Sequence, residues 1–229
     1  GVNIPSNICY AACLEAAGKV YANEEWKRKA ERIREAVKRL AYDGEFFVDN
    51  LVRDETGALV RTGYLTEVCQ YYAFWFKCAT KEEYPELFEE LMKRLGPARE
   101  EGFLPEMEKP NVMYGLYMRL DLLMREGERK KVLKECFDIF GKMAQRTGTL
   151  WENNNISASC DHGFASYAAR WLVYALTGYD IIKGGAAAKE GIGIDCTLSL
   201  PAKDGRRLRI DVRDNRVHVY RPLAHVRAV

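Results

Sequence analysis

The chain has 229 residues and a mass of 26.2 kDa, enough for one generous domain that buries roughly 70% of its unfolded surface. Hydrophobic residues make up 48% and charged residues 30%, a balance that excludes disorder and fibre. Lys and Arg exceed Asp and Glu only by 35 to 33, so there is no electrostatic footprint for nucleic acid, and no apolar run reaches the ~20 residues of a membrane span.

In chain order, the first predicted element is a helix over Ser6–Ala17 that is apolar nearly all round. The next, Asn23–Leu40, is amphipathic: Trp26, Ala30, Ile33, Val37 and Leu40 form one stripe, and Lys27, Arg28, Glu31, Arg32, Glu35 and Arg39 cover the rest. Phe46–Val52 and Leu59–Arg61 flank the turn Asp54-Glu55-Thr56-Gly57 and read as a β-hairpin. A second all-round apolar helix spans Thr66–Ala79, with Val68, Tyr72, Trp75 and Phe76 expected to be buried. An amphipathic helix starts at Tyr84-Pro85 and stops at Gly96-Pro97. A third apolar helix covers Asn111–Met124, and a third amphipathic one Glu128–Arg146, with Val132, Cys136, Phe137, Phe140 and Met143 on its apolar side. The fourth apolar helix is His162–Thr177. After Gly178 a loose linker, Lys183–Gly193, leads to strands at Thr197–Leu200, Arg207–Val212 and Val217–Tyr220, joined by turns at Lys203-Asp204-Gly205 and Asp214-Asn215. Gly191-Ile192-Gly193 is no dinucleotide fingerprint, because a strand follows it.

A helix that is apolar on every side must be covered on every side. Four such helices alternating with amphipathic ones imply two concentric layers, and their irregular spacing favours a toroid over a solenoid. The fold class expected is mainly α, a partial toroid of helical hairpins over residues 1–182, with a linker and small antiparallel β appendage over 183–229.

Seven cysteines include no CxxC pair, and Cys9, Cys69, Cys78 and Cys136 sit in apolar stretches as small hydrophobes. Cys9 and Cys13 are one helical turn apart, but no His or second pair completes a zinc site, so neither metal nor cofactor is expected. The start of the chain shows no signal peptide. Its compartment stays open between the bacterial cytoplasm and periplasm, and no membrane partner is expected.

The polar residues without an obvious structural task collect in loops that enter the apolar helices. Asp49 and Asn50 precede the second, whose first turns carry Thr66, Glu67 and Gln70; Glu106 and Asn111 precede or open the third; Trp151-Glu152-Asn153-Asn154-Asn155 and Asp161-His162 precede or open the fourth. If the apolar helices run parallel, these loops share one end, forming a cleft of carboxylates, amides and aromatics suited to a polyhydroxylated ligand. Alternative readings are dipole compensation for Glu67, an N-cap for Asp161, a solvated turn for the three Asn residues, and capping or packing for His162. Glu152, next to Trp151 and without a helical partner, points to function.

Thr147-Gly148-Thr149-Leu150-Trp151-Glu152-Asn153 and Asp161-His162-Gly163-Phe164-Ala165-Ser166 resemble the closing motif of bacterial α-L-rhamnosidases. Thr66–Ala73 and the Asn111–Leu123 helix are similar to that family too, so the resemblance spans roughly Ser6 to Gly178. It implies an (α/α)6 six-hairpin barrel and hydrolysis of terminal α-L-rhamnose with inversion. Motif by motif it places the catalytic general base at Glu152, a sugar-binding histidine at His162 and a pocket aromatic at Trp151. Gln70, Glu67, Asp49 and Asn111 are the further substrate-binding candidates from the shared loop end. An inverting glycosidase also needs a protonated carboxyl roughly 6.5–9.5 Å from the base. The acidic, Arg- and Trp-containing motif that carries it in the family does not occur here, and about seven helices are read rather than twelve. The chain reads as the second half of a barrel. Its expected partners are a rhamnose-containing carbohydrate and either the missing N-terminal half or a second copy of the chain. Another six-hairpin glycosidase, a sugar lyase and a non-catalytic sugar-binding half-barrel are the alternatives.

Overall fold

The computed structural model of the protein describes residues 1–201 and 206–220. Its contacts divide the chain into two compact units, Gly1–Leu122 with Trp151–Asp161, and Leu123–Leu150 with His162–Val229. The boundary expected at residue 182 falls inside the second unit. Among the described residues, no helix is long and apolar enough to cross a membrane.

The first unit is built on the hairpin of α1 (Ile4–Val20) and α2 (Glu24–Ala41). Each helix starts where an Asn side chain takes an orphan N–H: Asn3 accepts from Ser6 at 2.9 Å and Asn23 from Trp26 at 3.1 Å. Gly18 lets the two helices meet, since a Cβ there would lie 2.8 Å from Lys27 Cγ. Arg34 of α2, almost fully covered, pairs with Glu15 of α1. Arg28, Arg32 and Arg39 are exposed, as the amphipathic pattern of α2 requires.

The hairpin of β2 (Asn50–Arg53) and β3 (Leu59–Arg61) pairs Leu51 with Arg61 and Arg53 with Leu59. Asp54 folds its turn by accepting from the Thr56 and Ala58 amides. Two features differ from the sequence reading. β1 (Val2–Asn3) adds a third strand against β2, and Phe46–Asp49 form a buried loop rather than a strand. Phe47 packs there against Tyr42 and Tyr84, with ring centroids 5.1 and 5.3 Å away.

Two short parallel strands, β4 (Leu65–Thr66) and β5 (Met107–Glu108), lead into α3 (Glu67–Trp75) and α5 (Met113–Arg125). α3 is four residues shorter at its C-terminus than the pattern predicts. Lys77 takes a left-handed conformation (φ +58°), and the Cys78 and Ala79 amides turn back onto the Ala73 carbonyl. Its buried face also differs from expectation. Glu67, Cys69, Gln70, Tyr71, Ala73 and Phe74 are fully buried, whereas Val68, Tyr72, Trp75 and Phe76 are only partly buried, the last three packed against the edge of the core. The expectation that these four are buried is therefore corrected: polar residues with partners inside the unit hold the inward positions. α4 (Pro85–Lys93) has Pro in its first turn and buries Leu87 and Leu91.

In the second unit, the helix expected over Glu128–Arg146 is three consecutive pieces: α6 (Arg129–Cys136), a π turn (Phe137–Gly141) and α7 (Lys142–Thr147). The wider π turn directs Ile139 and Phe140 inward and leaves Phe137 65% exposed, which corrects its expected place on the apolar side. A 3-10 turn, Gly163–Tyr167, opens α8 (Ala168–Thr177), which ends at Gly178 in a left-handed conformation (φ +72°). Arg129 caps the C-terminus of α8 through the Ala175 and Leu176 carbonyls at 3.1 and 2.8 Å. Strands β6 (Cys196–Pro201), β7 (Arg207–Arg213) and β8 (Arg216–Tyr220) form an antiparallel sheet in that order, with Ile210 and Val212 buried. Asp214 and Asn215, both at positive φ, make the two-residue turn between β7 and β8. The turn expected at Lys203-Asp204-Gly205 lies outside the described residues. The linker is docked, not loose: the Gly191 amide donates to the Asn215 carbonyl at 2.8 Å and the Val217 amide to the Lys189 carbonyl at 3.1 Å.

Candidate functional site

Glu152 stands at the neck of a loop stapled to the start of α5, all within the first unit. Its amide donates to the Ser159 carbonyl at 2.9 Å, and its carbonyl accepts from the Met113 amide at 3.3 Å. The second bond satisfies an orphan N–H of the first turn of α5. Val112 and Asn153 bridge antiparallel, and the Asn154 amide donates to the Asn111 carbonyl at 2.6 Å. Side chains finish the staple: Asn155 Nδ2 donates to Asn111 Oδ1 at 3.1 Å, and the Ser157 amide donates to Asn155 Oδ1 at 2.9 Å. The three Asn residues thus organise the loop, and both Asn111 oxygens are committed to holding it. Trp151, at the loop's start, is 1% exposed, while Glu152 is partly exposed. The main chain of Glu152 is thus fixed on both sides by hydrogen bonds.

The α3 end of the same unit holds Asp49, Glu67 and Gln70, all buried. Gln70 grips the Phe47 peptide with both ends of its amide: it accepts from the Phe47 amide at 2.9 Å and donates to the Phe47 carbonyl at 2.8 Å. Asp49 accepts from the Thr66 amide at 2.7 Å and from the Thr66 hydroxyl at 2.8 Å. Burial pushes its carboxyl up to about 6 against the pull of those bonds. Glu67 accepts from the Tyr71 hydroxyl and from the Gly96 amide at 3.1 Å, and its other oxygen faces Arg99 Nη1 at 2.9 Å. Burial outweighs these partners, so the Glu67 carboxyl is also raised. All three side chains are engaged inside the fold, where they position the segments entering α3. Gly115 brings α5 beside α3: a Cβ there would lie 2.7 Å from Val68 Cγ2. Together with the parallel pair β4–β5, this sets the N-terminal ends of α3 and α5 side by side. Glu106 is exposed on the segment before β5.

His162 belongs to the second unit. Its amide donates to the Leu150 carbonyl at 2.9 Å, its carbonyl accepts from the Ala165 amide at 3.0 Å, and its ring meets Phe164 edge to face at 4.1 Å. It is the residue that caps the 3-10 turn, and it does so without a side-chain bond, while Asp161 is exposed. Among the described residues, no group of three or more His, Cys, Asp or Glu is placed to hold a metal ion.

Sequence reasoning missed the buried cations. Arg99 donates to the Met107 carbonyl at 2.7 Å. Arg119 donates to the Leu91 and Met92 carbonyls at the end of α4, and its guanidinium lies 5.8 Å from the Tyr71 ring centroid. Arg119 had a signal: a lone Arg inside an apolar helix has to find partners. Arg99, in a polar stretch after Gly96-Pro97, had none.

No family model matches the chain, and no curated protein matches it. Among solved structures, the chain is similar to a crystal structure of a GH78 family rhamnosidase of Bacillus sp. GL1, with a TM-score of 0.64 and 13% sequence identity. The similarity covers 92% of this chain and 24% of that one. The chain therefore spans about a quarter of that enzyme's length, and at this identity the likeness is one of fold.

Proposed function

We propose that the chain carries the general-base side of an inverting glycosidase site for terminal α-L-rhamnose, on part of an (α/α)6 barrel of helical hairpins. Glu152 takes the proton from the attacking water. By motif, Trp151 and His162 are sugar-binding residues, and Asp49, Glu67, Gln70 and Asn111 hold the loops that enter α3 and α5. The observation that carries the reading is Glu152 itself: a partly exposed carboxylate, in the Trp-Glu motif, on a loop stapled to the start of α5. The fold likeness to a glycoside hydrolase supports it. The reaction needs water and two carboxyl groups and no cofactor. The family's acidic motif is missing from the 229 residues, which favours sugar binding without turnover by this chain.

The test is titration of the chain with L-rhamnose, followed by NMR, beside an aryl α-L-rhamnoside assay. Binding is expected, retained in Glu152→Gln, with no measurable hydrolysis. Absence of rhamnose binding overturns the rhamnose reading. Hydrolysis that Glu152→Gln lowers by the ~10²–10⁴-fold typical of a general base would place an acid within the chain.

A further inference from the structure

Cys9 and Cys13 lie four residues apart on α1, a 17-residue helix pinned by the Asn3 cap and by its buried residues Ile4, Ile8, Ala11 and Gly18. Cys9 is partly exposed, Cys13 is exposed, and both are free thiols. On a helix, side chains at i and i+4 stand one above the other with Cβ atoms about 5–6 Å apart. A disulfide needs Cβ atoms about 3.5–4.5 Å apart, so these two cannot close one without distorting the helix. A zinc site needs about four ligands, and no such group exists among the described residues. The spacing suits a single bridging atom that is content with two sulfurs.

We infer that Cys9 and Cys13 form a dithiol site for trivalent organoarsenicals. Arsenic(III) bearing one carbon substituent needs two thiolates to complete its coordination. With an arsenoxide, R–As=O, two As–S bonds form while the As=O bond breaks. The two thiol protons leave with the oxygen as one water, and arsenic keeps its oxidation state. The thiols sense each other: burial first, then the neighbouring Cys13, holds the Cys9 thiol above its usual value. The other cysteines compete poorly. Cys69, Cys78 and Cys136 are buried, the last two raised to about 12, and Cys160 and Cys196 lie far from each other and from α1 in the sequence.

Phenylarsine oxide and intact-mass spectrometry of the full chain test the site. One adduct per chain is expected, with loss of one water, surviving excess monothiol but released by a dithiol such as ethanedithiol. Cys9→Ser and Cys13→Ser should each weaken retention by about 10²-fold or more, because the second bond is intramolecular. The double variant Cys13→Ala/Ala16→Cys keeps two thiols on α1 but sets them two turns, about 10 Å, apart, and should behave like the single variants. Circular dichroism checks that α1 is retained in each. Loss of the adduct to monothiol from the wild type, retention by the respaced variant, or mapping of arsenic to Cys160 or Cys196 would each overturn the assignment.

Discussion

Each unit holds a buried ion pair, and these two behave in opposite ways. In the first, Glu67 and Arg99 have side chains 0% and 6% exposed; in the second, Arg170 and Asp180 are 4% and 10% exposed. Arg170 meets Asp180 as a fork, Nε on one oxygen at 3.0 Å and Nη2 on the other at 2.8 Å, and the Ile182 and Lys183 amides add two more donors. These bonds, above all those from Arg170, hold the Asp180 carboxyl down at about 2. Arg99 reaches Glu67 from one side only, in a direction that makes no hydrogen bond between Nη1 and Oε1. Desolvation therefore wins and the Glu67 carboxyl is raised. Orientation decides the sign, not proximity: a fork with satisfied lone pairs offsets burial, and a single off-axis approach does not.

The largest effect should come from breaking the buried pair on its anionic side. Glu67→Ala leaves Arg99, which cannot shed its proton, without its counter-ion, and should cost about 3–5 kcal/mol. Arg99→Ala should cost less, because Glu67 can take up a proton instead. Urea midpoints compare the two, and an Arg99→Ala cost equal to or above that of Glu67→Ala breaks the argument.

The next effect is in pH. Asp49 is raised from 3.8 to about 6 in the fold, so the unfolded chain is the stronger acid. Above pH 6 the buried charge lowers stability, and the loss is relieved as pH falls from about 6 toward 4, by on the order of 3 kcal/mol. Glu67 is raised and adds in the same direction. Asp180 works the other way: its contribution is present above its unfolded value and lost as pH falls through about 2. Stability measured between pH 7 and 4 should therefore rise in the wild type and rise less in Asp49→Asn. An unchanged slope in that variant would remove Asp49 from the account.

Neutral isosteres sharpen the contrast between the pairs. Asp180→Asn discards a charge the fold favours, a loss on the order of 2 kcal/mol at pH 7. Glu67→Gln also takes the counter-ion from Arg99 but keeps an acceptor for the Tyr71 hydroxyl and the Gly96 amide, and should cost less than Glu67→Ala. Equal losses in thermal melts would mean that the missing charge alone sets the effect.

The smallest effect concerns association. Tyr10 on α1 and Tyr114 on α5 are exposed in the first unit, whereas α8 of the second unit has no large exposed hydrophobic side chain. We expect these side chains to favour a second copy of the chain, seen as a scattering mass that grows with concentration. Tyr10→Lys or Tyr114→Lys should weaken it by about tenfold or less each. A mass that stays monomeric at all concentrations removes the self-association proposal.

What the sequence determined by itself was short-range. Asn3 and Asn23 cap α1 and α2, Pro85 starts α4, Gly148 and Gly178 end α7 and α8, and Asp54 folds its hairpin turn. Each of these acts within a few residues, where backbone preference and a nearby side chain suffice. The Trp151-Glu152 motif was legible for the same reason. Only the tertiary structure decided the rest. α3 turns Glu67 and Gln70 inward because their partners, Arg99 and the Phe47 peptide, come from more than twenty residues away. Phe137 faces out because a π turn adjusts α6 and α7 to the core of the second unit. β4 pairs with β5 across forty residues, and Glu152 acquires its place from Asn111 and Met113, forty residues before it. Hydrophobic period shows which residues can be buried, but which face wins depends on where distant hydrogen-bonding groups can be satisfied.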